Sequence, residues 1–316
     1  MPGFITHLSF GKESIERSNN IMLENLNSKY PSCVGLGLQG PDIFFYYIPA
    51  YFFHNKNIGN RMHNEYVNLF FENLIKSKEL FSNNDDLEIC DAYIIGFIGH
   101  YTLDTFCHPY IYFRTDHLNV VHSKGGMYDF GNHLSLETDI DHVVLWNYKG
   151  LLPTSFDYRS AVLPSKRELS VISKLLCEAI NTTFSDESFA PKFVSKAIVT
   201  FANLNRAMRD PNSKKKSSIR AIEQLFFKCS TISAMIPSDT LIKFDDPCNN
   251  NHKKWSNPWN SSLESTESIF DLFQDAEPVY LNRLSLYLNN NVDDLLSDLD
   301  DLSYCSGLPL SLNLKI

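Results

Sequence analysis

No two cysteines of this 316-residue chain form a CxxC, and the seven present (Cys33, Cys90, Cys107, Cys177, Cys229, Cys248, Cys305) are scattered and odd in number. That pattern argues against a disulfide framework and fits reduced thiols in an intracellular chain. No apolar run approaches the ~20 residues that span a bilayer. The first ten residues lack a basic segment followed by an apolar one, so no secretory signal is visible and cytoplasmic residence is the expectation. Positive charge is in short supply: 28 Lys and Arg face 37 Asp and Glu, for a formal charge of -9 and a pI near 5.6. Such a surface does not attract polyanions by its overall field, although a cluster of bound cations would create a local positive site. No segment alternates convincingly as a strand, and no internal repeat is apparent.

What the chain does have is apolar bulk, 43% of residues with 13% aromatic, which is ample for a packed core and excludes disorder for most of it. The periodicity is helical. Residues 12–27 carry Ile15, Ile21 or Met22, and Leu26 at helical intervals before Tyr30-Pro31 interrupts them. Residues 35–42, Gly-Leu-Gly-Leu-Gln-Gly-Pro-Asp, read as a turn-rich connection that delivers Asp42 to the aromatic run 43–53. Asn60 is placed to cap a helix reaching about Leu80, with His63, Val67, Phe70, Phe71 and Leu74 on one face. Residues 87–108 are apolar nearly all round, as in a central buried helix, and Pro109 is expected to end it.

After a loop over 115–132, Asn132 can cap a helix over 133–148. Ser165 and Glu168 have capping-box spacing for a helix to about 181, and Pro191 opens another to about 208. Residues 209–217, with three consecutive lysines, read as a solvated connector. Helices are expected over 218–235 and 263–288, the latter interrupted at Pro278, and the acidic stretch 293–301 reads as a solvated helix face. An all-α, multihelical fold is expected. A soft boundary near Gly150 separates a histidine-rich helical region, 1–150, from a helical region, 151–316, that packs on it; one continuous core is the equal alternative.

His100, Asp104 and His108 form HxxxDxxxH within the apolar helix, and at ~100° per residue they spread over only ~80° of its surface. A lone histidine there would read as a hydrogen-bonded core residue, but a buried Asp in register with two histidines is costly unless paired or metal-bound. His100 and His108 lie ~12 Å apart along the axis, too far to share an ion at ~2 Å, so at least two metals are implied, with Asp104 placed to bridge. His133 and Glu137, again four apart, are a common way for a helix to offer two ligands. His7, Asp42 and His63 are isolated in sequence and would individually read as structural.

Five segments change that reading. They are residues 1–7 (Met-Pro-Gly-Phe-Ile-Thr-His), 37–46 (Gly-Leu-Gln-Gly-Pro-Asp-Ile-Phe-Phe-Tyr), Met62-His63, 96–110 with Gly99-His100, Asp104 and Cys107-His108-Pro109-Tyr110, and 133–137. In order and spacing, over roughly residues 1–148, they closely resemble the zinc-dependent phospholipase C family. A later stretch, 255–273, with Asn257-Pro258-Trp259 and Ser268-Ile269-Phe270, looks like a further family segment. The resemblance implies a multihelical zinc phospholipase C/nuclease-like fold and two or three zinc ions. It makes His63, His100 and Asp104 ligands of one zinc, with Asp42 a ligand or general base beside it, and His108, His133 and Glu137 ligands of a second. His7 with Asp104 would hold a third, completed in secreted members by the amino group and carbonyl of an N-terminal Trp. This chain departs there, beginning Met1-Pro2.

Among the remaining histidines, His54 is an alternative to His63, while His117, His122, His142 and His252 read as surface or supporting residues. Asp141, one turn beyond Glu137, is placed to orient a histidine ligand. The aromatic run Phe44, Phe45, Tyr46, Tyr47, Tyr51, Phe52, Phe53 reads as core, with an apolar wall or membrane-contacting lip beside the metals as its functional alternative. Clustered zinc ions neutralise a phosphodiester, activate water and stabilise both oxygens of an in-line displacement. The expected activity is therefore phospholipid hydrolysis, with transient contact to a membrane surface. Single-strand nuclease action on a related zinc fold is disfavoured by the acidic pI and the lack of a basic, aromatic-interleaved groove, so nucleic acid is the weaker partner. A catalytically silent zinc-binding structural or interaction protein is the reading from a different class.

Overall fold

The computed structural model describes residues 3–52, 57–116, 126–226, 230–239 and 243–312. Met1, Pro2, Phe53, His54, His117 and His122 lie outside the described residues. The fold is all-α apart from one small hairpin. Its axis is the central helix Asn84–Thr115, opened by Asn83, whose side chain accepts from the Asp85 backbone N–H. Pro109 does not end this helix as the sequence suggested. An internal proline costs about 3 kcal/mol, but Tyr110 and Ile111 beyond it are buried, and the Tyr110 hydroxyl donates to the Pro247 carbonyl. Packing of that last turn outweighs the lost bond. The same holds at Pro278, inside the continuous helix Ile269–Leu288, where Tyr280 and Leu284 are fully buried.

The glycine-rich 35–42 stretch is the most instructive correction. Gly35 and Gly37 belong to a helix, Pro31–Gly37, which lies against the central helix. A Cβ at Gly37 would come 2.1 Å from the Tyr93 carbonyl oxygen, and one at Gly96 would come 2.3 Å from that of Val34. The glycines let two helix backbones touch. Only Gly40 acts as a turn residue: its φ is +49°, and a Cβ there would sit 2.2 Å from the His100 ring. A 3-10 turn, Gly40–Phe44, then carries Asp42 onto the central helix.

Elsewhere the predicted helices break where polar residues adopt left-handed conformations. The first helix runs Phe4–Arg17, earlier than the spacing indicated, and stops at Asn19 with φ 51°; Asn20 then caps Ile21–Lys29 by accepting from Met22 and Leu23. Asn57 rather than Asn60 caps the helix bearing His63, Ile58–Asn64, and Tyr66 at φ 55° separates it from Val67–Lys76. Apolar spacing runs through both breaks, which is why periodicity alone merged them. The helix bearing His133 spans Gly126–Lys149, so Asn132 is internal and not a cap.

The Ser165–Glu168 capping box is present at the head of Lys166–Thr183, and Pro191 opens Pro191–Ala207. The lysine-rich connector is partly helix: Lys214–Phe226 begins within it and Lys216 is buried. In place of a helix from Leu263 there is an antiparallel pair, Trp255–Asn257 with Asn260–Ser265, whose second strand is mostly exposed and so carries no apolar alternation to read. The acidic helix Val292–Leu299 buries Leu295 and Leu299. One buried apolar cluster extends from Phe4 to Tyr304. Among the described residues no helix is long and apolar enough to cross a membrane.

Candidate metal centre

Five elements converge on Asp104, about two-thirds of the way along the central helix. The first helix brings His7, the 3-10 turn Asp42, Ile58–Asn64 His63, the central helix His100 and His108, and Gly126–Lys149 His133 and Glu137. All eight side chains are buried. His7 Nε2 lies 3.2 Å from Asp104 Oδ1, and His100 Nε2 lies 3.1 Å from Oδ2. His63 Nε2 is 3.7 Å from that same Oδ2 and 3.4 Å from Asp42 Oδ1, while His100 Nε2 is 3.8 Å from Asp42 Oδ1. One turn further along, His108 Nδ1 is 3.7 Å from Asp104 Oδ1. His133 Nε2 and Glu137 Oε1 are 2.7 Å apart.

Backbone carbonyls set the tautomers. Nδ1 of His63 donates to the Gly59 carbonyl at 2.7 Å, that of His100 to Leu38 at 3.2 Å and that of His108 to Tyr304 at 2.6 Å. In a neutral ring each donating Nδ1 leaves Nε2 as a lone-pair donor. Those Nε2 atoms have no hydrogen-bond partner, nor do both ring nitrogens of His7, Asp42 Oδ1 and both oxygens of Asp104. The close approaches around Asp104 bring rings and carboxylate together without hydrogen-bond geometry. Buried, unsatisfied lone pairs converging on a shared space are what a divalent cation requires. Three groups place one ligand atom per residue within 4.8 Å of each other: His7, Asp42 and His100; His63, His100 and Asp104; His108, His133 and Glu137. His7 thus meets both Asp104, the partner the resemblance implied, and Asp42.

Burial drives the site's electrostatics. It lowers the His7 pKa to about 4, helped by the neighbouring His100 and opposed by Asp104. It also lowers His63 and His108, again against the pull of Asp104. Burial alone would raise Asp104, but His108, His100 and His7 together hold its carboxyl well below the usual range. Asp42 is pushed well above that range by burial, with His100 opposing and Asp104 adding, and burial raises Glu137 to about 7. His7, His63 and His108 are therefore held neutral and ready to ligate below the usual histidine pKa, whereas Asp42 and Glu137, both raised by burial, must lose a proton to ligate in mild acid. Zinc affinity is expected to rise with pH up to about 7, and binding near pH 6 should release protons. Calorimetry in buffers of different ionisation enthalpy checks this; a proton-neutral binding event would mean that Asp42 and Glu137 are already ionised.

Asp141 does not orient a histidine as expected. Its carboxylate accepts from the Ile5 and Thr6 backbone N–H groups at 3.0 and 2.8 Å and from the Thr6 hydroxyl at 2.6 Å. It thereby caps the helix that carries His7 and ties it to the helix that carries Glu137. His142 contacts the Ser238 carbonyl and His252 is exposed, both apart from the cluster.

A cavity of about 80 Å³ opens on the centre, lined by His63, His108, His133 and Glu137 together with Phe45, Tyr112, Leu134 and Cys305. A larger groove of about 730 Å³, beside Arg167 and Lys174, touches none of the eight residues. Phe45 of the aromatic run lies 5.5 Å from the His63 ring, and Tyr46 lines a smaller cavity of about 50 Å³ that reaches Glu137; Phe44 is fully buried against Phe193. Sequence reasoning missed Tyr112, although it lies one turn from His108 and could have been found by spacing. It also missed Cys305 and the Tyr304 carbonyl, which carry no local signal because a distant chain segment delivers them.

The chain matches the family model described as zinc dependent phospholipase C over residues 6–191. No curated protein and no solved structure matches it. The matched span covers more than half of the chain and includes all eight residues around Asp104; the chain therefore belongs to the zinc-dependent phospholipase C family, and a zinc-dependent, phospholipase C-like function follows from that membership.

Proposed function

We propose that this protein hydrolyses the phosphodiester bond of phospholipids, releasing diacylglycerol and a phosphorylated head group, at a centre of two or three zinc ions held by His7, Asp42, His63, His100, Asp104, His108, His133 and Glu137. The observation that carries the reading is an apolar wall, Phe45 and Leu134, on the same cavity as four of those side chains. Bound zinc would neutralise the diester and make water a competent nucleophile at neutral pH. Asp42 Oδ1, beside His63 and His100 and without a hydrogen-bond partner, would take the proton from that water. Nδ1 bonds from His63, His100 and His108 to fixed carbonyls keep their donor atoms oriented without reorganisation.

With zinc at moderate salt, short-chain phosphatidyl diesters should be cleaved better than single-stranded oligonucleotides. Phe45→Ala should lower lipid turnover by roughly tenfold, the scale of a lost aromatic contact, while sparing hydrolysis of a small soluble diester. Efficient oligonucleotide cleavage without lipid turnover would move the protein to the nuclease reading, and zinc-loaded protein that cleaves neither would make it a silent zinc-binding protein.

A further inference from the structure

The helix that carries His133 and Glu137 also carries Ser135 and Asp139, two positions further on and so ~200° around its axis. On that opposite face is a second cavity of about 80 Å³, lined by Ser135, Asp139, Lys216, Arg220, Ser230, Ser233 and Lys243 among others. It concentrates cations in a chain whose formal charge is -9. Lys216 is buried and spends one donor on the Ile236 carbonyl at 3.0 Å, leaving two. Lys243 reaches Asn132 Oδ1 at 2.6 Å, also with donors to spare. The Arg220 guanidinium makes no hydrogen bond or ion pair among the described residues.

Polar donors complete the wall. Ser233 Oγ, on a residue only 1% exposed, has no hydrogen-bond partner. Its backbone N–H, with those of Thr231 and Ile232, is held by the Glu223 carboxylate, so the turn that presents the hydroxyl is anchored. Ser230 Oγ accepts from Gln224 and keeps its own proton free to donate. Asp139 is engaged elsewhere: its Oδ2 accepts the Lys243 and Phe244 backbone N–H groups at 2.6 and 2.8 Å. Three cations face Asp139 across the cavity, while the nearby Glu223 and Asp210 carboxylates are turned to backbone N–H groups of the surrounding wall. A cavity of that size has room for several waters and so for one tetrahedral oxyanion.

We propose that this pocket binds a phosphate monoester dianion, at a site separate from the metal centre. The fork of Arg220, the ammonium groups of Lys216 and Lys243 and the hydroxyls of Ser230 and Ser233 supply the hydrogen-bond donors that its oxygens require. The dianion could come from a soluble phosphate or from a monoester lipid head group such as phosphatidic acid. Equilibrium dialysis of zinc-loaded protein against labelled inorganic phosphate separates this site from binding at zinc. The Arg220→Gln/Lys243→Gln double variant should bind one phosphate equivalent fewer than wild type, with zinc content and hydrolysis of a soluble diester unchanged. Ser233→Ala, which breaks no bond within the chain, should weaken that equivalent severalfold. Flotation with phosphatidylcholine vesicles, with or without phosphatidic acid, distinguishes the source: retention on phosphatidic acid that the double variant loses identifies the lipid, and no retention identifies the soluble ester. Equal phosphate stoichiometry and affinity in wild type and both variants would overturn the site.

Discussion

Asp104→Asn is expected to lose bound zinc and to reduce phosphodiester turnover by more than the ~10–100-fold typical of residues that only support a ligand. Both Asp104 oxygens are buried without hydrogen-bond partners, and four histidines approach them within 3.7 Å. An amide keeps the shape but removes the negative charge and turns one acceptor into a donor aimed at imidazoles that must themselves donate lone pairs. Asp42→Asn provides the contrast. Asp42 belongs to one of the three ligand groups, with His7 and His100, and its other oxygen neighbour is His63, so that variant should keep most of its zinc and its fold while losing most of its turnover. Metal analysis beside kinetics separates the two. Near-native turnover in Asp42→Asn removes it from the reacting groups, and full zinc content in Asp104→Asn would show that Asp104 is not a ligand.

Chelation should abolish activity and lower the melting temperature by roughly 10 °C, and zinc reconstitution should restore at least two equivalents. The stoichiometry follows from the three ligand groups, none of which contains both His100 and His108. The stability change follows because eight buried polar atoms of the cluster, on His7, Asp42, His63, His100, Asp104 and His108, have no hydrogen-bond partner. Leaving one such group unsatisfied costs about 1–3 kcal/mol. An ion that satisfies several of them and binds only the folded state stabilises it by about 4 kcal/mol at a thousandfold excess over Kd, which corresponds to several degrees in a domain of this size. Calorimetric scans before and after chelation measure it. A chain that melts at the same temperature and takes up one equivalent or less would sink the multinuclear reading.

Much of the centre was legible because helical geometry is local. HxxxDxxxH placed His100, Asp104 and His108 on one face of the central helix, and the structure keeps them there. His133 and Glu137 followed from the same spacing. His7, Asp42 and His63 had no such signal and were found only through resemblance, because nothing in their flanks says that three other elements will meet Asp104. Where local rules misled, packing was the reason. Gly35 and Gly37 read as turn residues and are contact residues of a helix crossing; Pro109 read as a terminator and is carried through by the burial of Tyr110 and Ile111. Asp141, read as a partner for a histidine ligand, instead caps the helix that holds His7.

By itself, then, the sequence determined the helical class, the absence of a membrane-spanning run and the register of carboxylates and imidazoles along two helices, since each depends on residues within a few turns of one another. Only the tertiary structure decided which histidine nitrogen carries the lone pair, because the carbonyls of Leu38, Gly59 and Tyr304 that fix it come from other parts of the chain. It also decided that Phe45 and not Phe44 faces the cavity, and that Lys216, in an apparently solvated lysine run, is buried beside Asp139. Burial and long-range hydrogen bonding are properties of the assembled core, and no spacing along the chain encodes them.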